Sequence, residues 1–195
     1  MDEENLEEKR PTSEQLEKEI GRIWLRNETL KAVWGAIRTL LVFAAVAVLV
    51  SMKLFPVVRV EQGSMYPTLE DGQIIILATF GKIGKGDIIA FHYNNQVLIK
   101  RVIAVGGDSI DLTGDGIVIL NGMQLSEMYV PDPAVGDCTI GLPMQVPANH
   151  YFVMGDHRLT SLDSRRSEIG PVSADQVVGK VLFRVWPITK LGIPR

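Results

Sequence analysis

Ser64 stands in "VEQGSMYPTLEDG", a glycine-led turn ahead of a proline, directly after the most apolar stretch of the chain. A serine hydroxyl at its ordinary pKa attacks a carbonyl poorly, so a nucleophilic reading of Ser64 requires a base nearby. The histidines that could serve are His92, His150 and His157. Another candidate is Lys100 in "QVLIKRVIAV". A strand period of two puts Lys100 on the face of Leu98 and Val102, and Arg101 on the face of Ile99 and Ile103. Apolar neighbours desolvate the ammonium form, lower its pKa and make a lysine able to accept a proton. A strand lysine whose stem packs while its head reaches water has the same pattern, so Lys100 alone does not decide the matter. A third cluster, "MGDHRLTSLDSRRSEIGPV" from Met154 to Val172, gathers Asp156, His157, Arg158, Ser161, Asp163, Ser164, Arg165 and Arg166. That is more polar chemistry than a turn requires.

These groups need a scaffold. The chain has 195 residues, 46% of them hydrophobic, which excludes a disordered protein and allows one core domain plus an appendage. A net charge of −3 provides no basic footprint for nucleic acid. The single cysteine, Cys138, forms no internal disulfide and reads as a small structural residue. From Ala32 to Leu54 the only charged residues are Arg38 and Lys53, both near the ends of the stretch, where their heads can snorkel to an interface. The segment suits a hydrocarbon layer of ~30 Å. The leader ahead of its apolar core, Leu40 to Val50, is long for a cleavable signal and no small-x-small site follows, so a retained anchor is expected. Arg22, Arg26 and Lys31 precede the span, against Lys53 and Arg59 after it, which places the N-terminus in the cytoplasm and the rest outside. The expected organisation is an acidic, helical tail over 1–31, a transmembrane anchor over 32–55 and an extracytoplasmic domain over 56–195.

Beyond Val57, short Val- and Ile-rich runs alternate with "EDG", "GKIGKGD", "YNNQ", "GGD", "TGDG" and "NG". This is β-strand punctuation. "DIIAFHY" and "QVLIKRVIAV" flank Asn94 and Asn95 as a hairpin, and "IDL", "IVIL" and "MQL" continue as a meander. "EMYVPDPAVGDCTIGLPMQVPANH" reads as an extended connection before the strand "YFVMG", and "DQVVGKVLFRVWPI" closes in strand. The predicted fold is mainly β, an antiparallel folded sheet or barrel, with one N-terminal transmembrane helix.

Four motifs, in order, resemble the type I signal peptidases, the bacterial leader peptidases that use a serine-lysine dyad: "SMYPTL" (64–69), "GDIIAF" (86–91), "KRVIAVGGD" (100–108) and "GDHRLTSLDSR" (155–165). The resemblance runs from about Arg38 to the C-terminus. It implies that Ser64 is the nucleophile and Lys100 the base, that Ser161 hydrogen-bonds the lysine amine, and that Asp163 and Arg165 pair to hold their loop against the site. It implies an oxyanion hole built on the Ser64 backbone N–H, with Gln62 as a second donor. Many relatives have asparagine where His157 stands, so a hydrogen bond within its turn is the expected role of that histidine; His92 and His150 are expected to be structural.

The activity implied is a membrane-anchored serine endopeptidase that removes signal peptides from exported precursors, cutting after Ala-x-Ala. Val58, Val60, Met65, Leu69 and Ile99 would line shallow pockets for small side chains, and the extended substrate would add to a strand edge. The partners are then the precursors and the lipid bilayer. No cofactor is expected, because no ligand-spaced His or Cys cluster would hold a metal. The rivals are a cytoplasmic self-cleaving repressor-type serine-lysine peptidase and a catalytically silent tethered β domain.

Overall fold

The structure is a computed structural model in which residues 12–194 are described. Residues 1–11 of the expected tail lie outside the described residues. From Ser13 onward the tail is part of helix α1, Ser13–Leu54, which runs unbroken into the apolar span over 42 residues. Thr12 and Gln15 fix its start: the Gln15 side chain accepts the Thr12 backbone N–H at 3.1 Å, and Leu16 N–H donates to Thr12 O at 3.1 Å. Pro56, which cannot continue a helix, follows its end. At the usual rise the helix is about 63 Å long, roughly twice the hydrocarbon thickness of a bilayer. Its most apolar window has a mean hydropathy of 2.2, and none of its residues is buried.

The chain forms two compact units that divide between Val50 and Ser51, a few residues before the boundary expected from sequence. The last turn of α1 belongs to the second unit for a physical reason. Leu54 O accepts the Thr79 N–H at 3.1 Å, and Phe55 packs edge-on against Phe80 with centroids 5.5 Å apart.

The second unit is the mainly antiparallel β fold predicted. Its strands are β1 (Val57–Arg59), β2 (Ile74–Ala78), β3 (Ile88–Tyr93), β4 (Gln96–Val105), β5 (Ser109–Leu112), β6 (Val118–Leu120), β7 (Met123–Gln124), β8 (Met144–Gln145), β9 (His150–Met154), β10 (Val172–Ser173) and β11 (Val177–Trp186). One sheet runs β1-β2-β11-β3-β4-β9-β10, and a smaller one runs β7-β6-β5-β8. The β3–β4 hairpin turns at Asn94 and Asn95, with Tyr93 opposite Gln96 and Asn94 at φ 50°, a left-handed value asparagine tolerates. The segment before β9 is less featureless than its Pro and Gly content suggested, because Met144 and Gln145 add β8 to the small sheet opposite Ile110 and Ser109.

Two apolar clusters flank the strand that matters for the site. Val60, Met65, Leu69, Ile75, Leu77, Ile88 and Ile99 form one; Ile89, Phe91, Val102 and Val153 form another, against which Leu98 packs. Ile99 and Val102 of β4 therefore anchor to different cores, which fixes the strand between them.

Candidate active site

Ser64 lies in the turn between β1 and β2, which is held by the loop after β9 and by a bond of its own. His157 N–H donates to Ser64 O at 3.1 Å, and Tyr66 N–H donates to Gly63 O at 3.0 Å. Lys100 of β4 reaches this turn, with Nζ 2.8 Å from Ser64 Oγ. Its side chain folds back on its own strand, where Nζ also donates to Ile99 O at 3.0 Å. Lys100 is only 2% exposed and forms no salt bridge among the described residues. Burial is the main influence on its pKa and pulls it down to about 8; the Arg165 charge adds to this, and the charges of Asp163 and Asp156 oppose it.

The loop after β9 supplies the rest. Asp163 and Arg165 are both fully buried and meet in a bidentate pair, with Nη2–Oδ2 at 2.8 Å and Nε–Oδ1 at 2.9 Å. Burial pushes the Asp163 carboxyl up, but the Arg165 guanidinium and the Gly155 N–H, which donates to Oδ2 at 2.9 Å, outweigh it and hold it below its ordinary value. Gly155 is required at its position: a Cβ there would overlap the Ser64 carbonyl oxygen and the Ser161 side chain. Ser161 is thus next to the site but makes no hydrogen bond with Lys100; its buried Oγ lies against the Asp163 carboxylate, which it helps to hold down, without closing a well-formed hydrogen bond. The His157 ring hydrogen-bonds Thr160 through Nδ1, within its own turn.

A second charge pair underlies the site. Arg101 donates Nε to Asp156 Oδ1 at 2.9 Å and Nη2 to Oδ2 at 2.7 Å, and Thr68 Oγ1 donates to Asp156 Oδ2 at 2.6 Å. A third joins Arg158 to Glu127 at 2.6 and 3.0 Å. Counted with Asp163 and Arg165, this gives three arginines matched by three carboxylates. Among the buried cations of the described residues, Lys100 is the one without a carboxylate partner. Thr68, Glu127 and Tyr129, whose ring lies 4.0 Å from the Arg101 guanidinium carbon, are residues the sequence did not point to. Thr68 lies inside a motif, while Glu127 and Tyr129 carried no signal in a segment that read as a plain connection.

A cleft of about 460 Å³ opens in front of Ser64 and Lys100. Val57 to Val60 line one side and Asn95 to Ile99 the other. Val58, Val60, Met65 and Ile99 are among its lining residues, whereas Leu69, with no exposed surface, sits behind them in the core. Both walls are strand edges. β1 pairs only with β2, and β4 pairs with β9 only from Arg101 onward, so Gln96 to Lys100 have a strand partner on one side alone. Gln62, at φ 71° on the rim, has its backbone N–H committed to Asp71 Oδ1 at 2.9 Å. Any second oxyanion donor from Gln62 is therefore its side chain. No group of three or more potential metal-ligating side chains occurs among the described residues.

A hydroxyl thus faces a buried amine that has no carboxylate partner, in a cleft between open strand edges that an extended chain could enter. The model of the family "Signal peptidase, peptidase S26" matches residues 33–186, and the chain belongs to that family. It is 31% identical to Signal peptidase I of Bacillus amyloliquefaciens over 93% of this chain and 95% of the relative. It is 39% identical to Signal peptidase I of Bacillus caldolyticus over 77% of this chain and 91% of that one, and 37% identical to Signal peptidase IB of Staphylococcus aureus over 65% and 75%. The chain is accordingly a hydrolase that removes signal peptides from precursor proteins.

Proposed function

We propose that Ser64 and Lys100 perform this hydrolysis as a serine-lysine dyad. The observation that carries the reading is the 2.8 Å approach of Nζ to Oγ by a lysine that is buried, unpaired and lowered to about 8. Neutral Lys100 takes the Ser64 proton as Oγ attacks the scissile carbonyl. The oxyanion is received by the Ser64 backbone N–H and the Gln62 side chain. The lysine then gives its proton to the leaving amine, and an acyl-enzyme remains. Water, deprotonated by Lys100, attacks the ester, and collapse of the second tetrahedral species returns the proton to Oγ.

The substrate segment lies extended in the cleft and pairs with its strand edges, so backbone hydrogen bonds supply affinity while Val58, Val60, Met65 and Ile99, which line the cleft, select small side chains. This favours Ala-x-Ala before the cut. Helix α1 holds the enzyme in the bilayer with the N-terminus in the cytoplasm, in keeping with the Arg22, Arg26 and Lys31 excess before its apolar part. Asp163 and Arg165 support the loop and do not react.

Incubating the purified full chain with an Ala-x-Ala precursor and sequencing the new N-terminus tests this. Cleavage after the second alanine is expected, with loss in Ser64→Ala. Cleavage that survives Ser64→Ala rules the dyad out, and cutting elsewhere rules out the pocket assignment.

A further inference from the structure

The Gly155–Arg158 backbone touches the nucleophile directly, through the His157 N–H on Ser64 O and through Gly155, where the same carbonyl fills the space a Cβ would need. What holds that backbone is a strap outside the loop, in the segment between β7 and β8. Glu127 grips both terminal nitrogens of Arg158, whose Nε in turn donates to Gly155 O at 3.0 Å. Arg158 has no exposed surface to its side chain, and Glu127 has only 9%, so water does not compete for this pair. The Tyr129 hydroxyl donates to Glu127 Oε1 at 2.9 Å, and its ring lies over Arg101, the partner of Asp156. Two neighbouring strap residues thus clamp Gly155 and Asp156 from two sides. Farther along, Val135 O accepts Arg165 Nη1 at 2.7 Å, and Gly136 leaves no space for a side chain against Arg158 O. Met128, between the two clamping residues, is 97% exposed, so the strap serves no apolar core at this point.

We infer that Glu127 and Tyr129 are positioning residues for the reaction: through Arg158 and Arg101 they fix the Gly155–His157 backbone that seats Ser64 against Lys100. The inference rests on the serine-lysine reading for its catalytic consequence, but the clamp itself is read without it. A loosened clamp misplaces Oγ relative to Nζ and leaves the cleft walls untouched. The expected effect is on kcat rather than KM, because a displacement of an ångström at the reacting atoms lowers turnover on the order of 100-fold.

The test uses the full chain in detergent. Glu127→Ala is expected to speed amide exchange at His157 at least tenfold while Ile110, in the small sheet, keeps its protection. On a short Ala-x-Ala peptide its kcat is expected to fall ~10- to 100-fold with KM within about threefold. Should Glu127→Ala fail to fold, Tyr129→Leu and Tyr129→Phe provide the same contrast: the phenyl ring keeps its place over Arg101 and retains most of kcat, and the leucine does not. Unchanged exchange at His157 together with unchanged kcat overturns the inference, as does a loss confined to KM. Faster exchange at His157 in an enzyme whose hydrolysis survives Ser64→Ala upholds the clamp and sinks the dyad, which separates the two readings.

Discussion

Lys100 and Arg101 are consecutive residues of β4, both buried, and only the arginine has an anion of its own. Arg101 is locked to Asp156 by two hydrogen bonds, whereas the lysine amine faces a hydroxyl and a carbonyl. One position of the strand therefore carries a permanent, neutralised charge and the next a charge that is easily given up. The guanidinium suits the first role because it does not deprotonate, and the amine suits the second because burial shifts its pKa.

The pH dependence follows with a definite sign. Below its pKa Lys100 is protonated and cannot accept from Ser64, so kcat/KM should rise with pH along a limb centred near about 8. Lys100→Arg keeps the charge and stays protonated, so its turnover should be lost. A pH-rate profile on a short peptide, with folding checked by circular dichroism, decides this. Appreciable turnover by the arginine variant shows that only positive charge is needed.

The same shift acts on stability. The folded chain holds Lys100 at about 8 and the unfolded chain at the ordinary 10.5, so between these values the unfolded state binds the extra proton. Stability from this group should therefore rise with pH across that window. Lys100→Met, which fills the site without a charge, should melt higher than the parent at pH 7, with the gap narrowing by pH 10. A gap independent of pH disproves the assignment of the shift to Lys100.

Gly155→Ala should be severe although it adds one methyl group. The added carbon meets a backbone oxygen of Ser64 that cannot turn away, so the loop or the nucleophile has to move. We expect kcat to drop ~100-fold or more, and labelling of Ser64 by a serine-directed acylating probe to fall in parallel. Labelling at the parental rate shows that the loop yields without disturbing Oγ.

His157→Asn should keep most of its activity. The ring is engaged with Thr160 inside the turn, and the contact with Ser64 comes from the backbone N–H, which asparagine retains. If the imidazole were the base, kcat would instead collapse ~100-fold or more. Steady-state kinetics of the variant beside Lys100→Arg distinguishes the two.

Much of this architecture is legible in the chain because the relevant signals are local. The Asn94–Asn95 hairpin follows from turn chemistry, and the apolar flanks of Lys100 follow from strand period. Glu127 and Tyr129 are different, since their importance arises from partners 31 residues away at Arg158 and in β4 at Arg101, and no period or turn residue announces such pairs. The Asp163–Arg165 pair is expected from the resemblance, but that it is sealed from water emerges only from tertiary packing. Leu69 fails as a lining residue because residue type tells that a side chain in the turn is apolar but not whether it stands in front.

The two strand edges that face one another across the cleft also set a time window for the enzyme. Unpaired amides and carbonyls on both walls are matched only by a segment with no partners of its own, and a precursor loses that property once the region around its cleavage point folds. On the proposed binding mode, processing is in a race with folding of the cargo. Delaying the cargo's folding, rather than altering its cleavage sequence, should raise the yield of mature product.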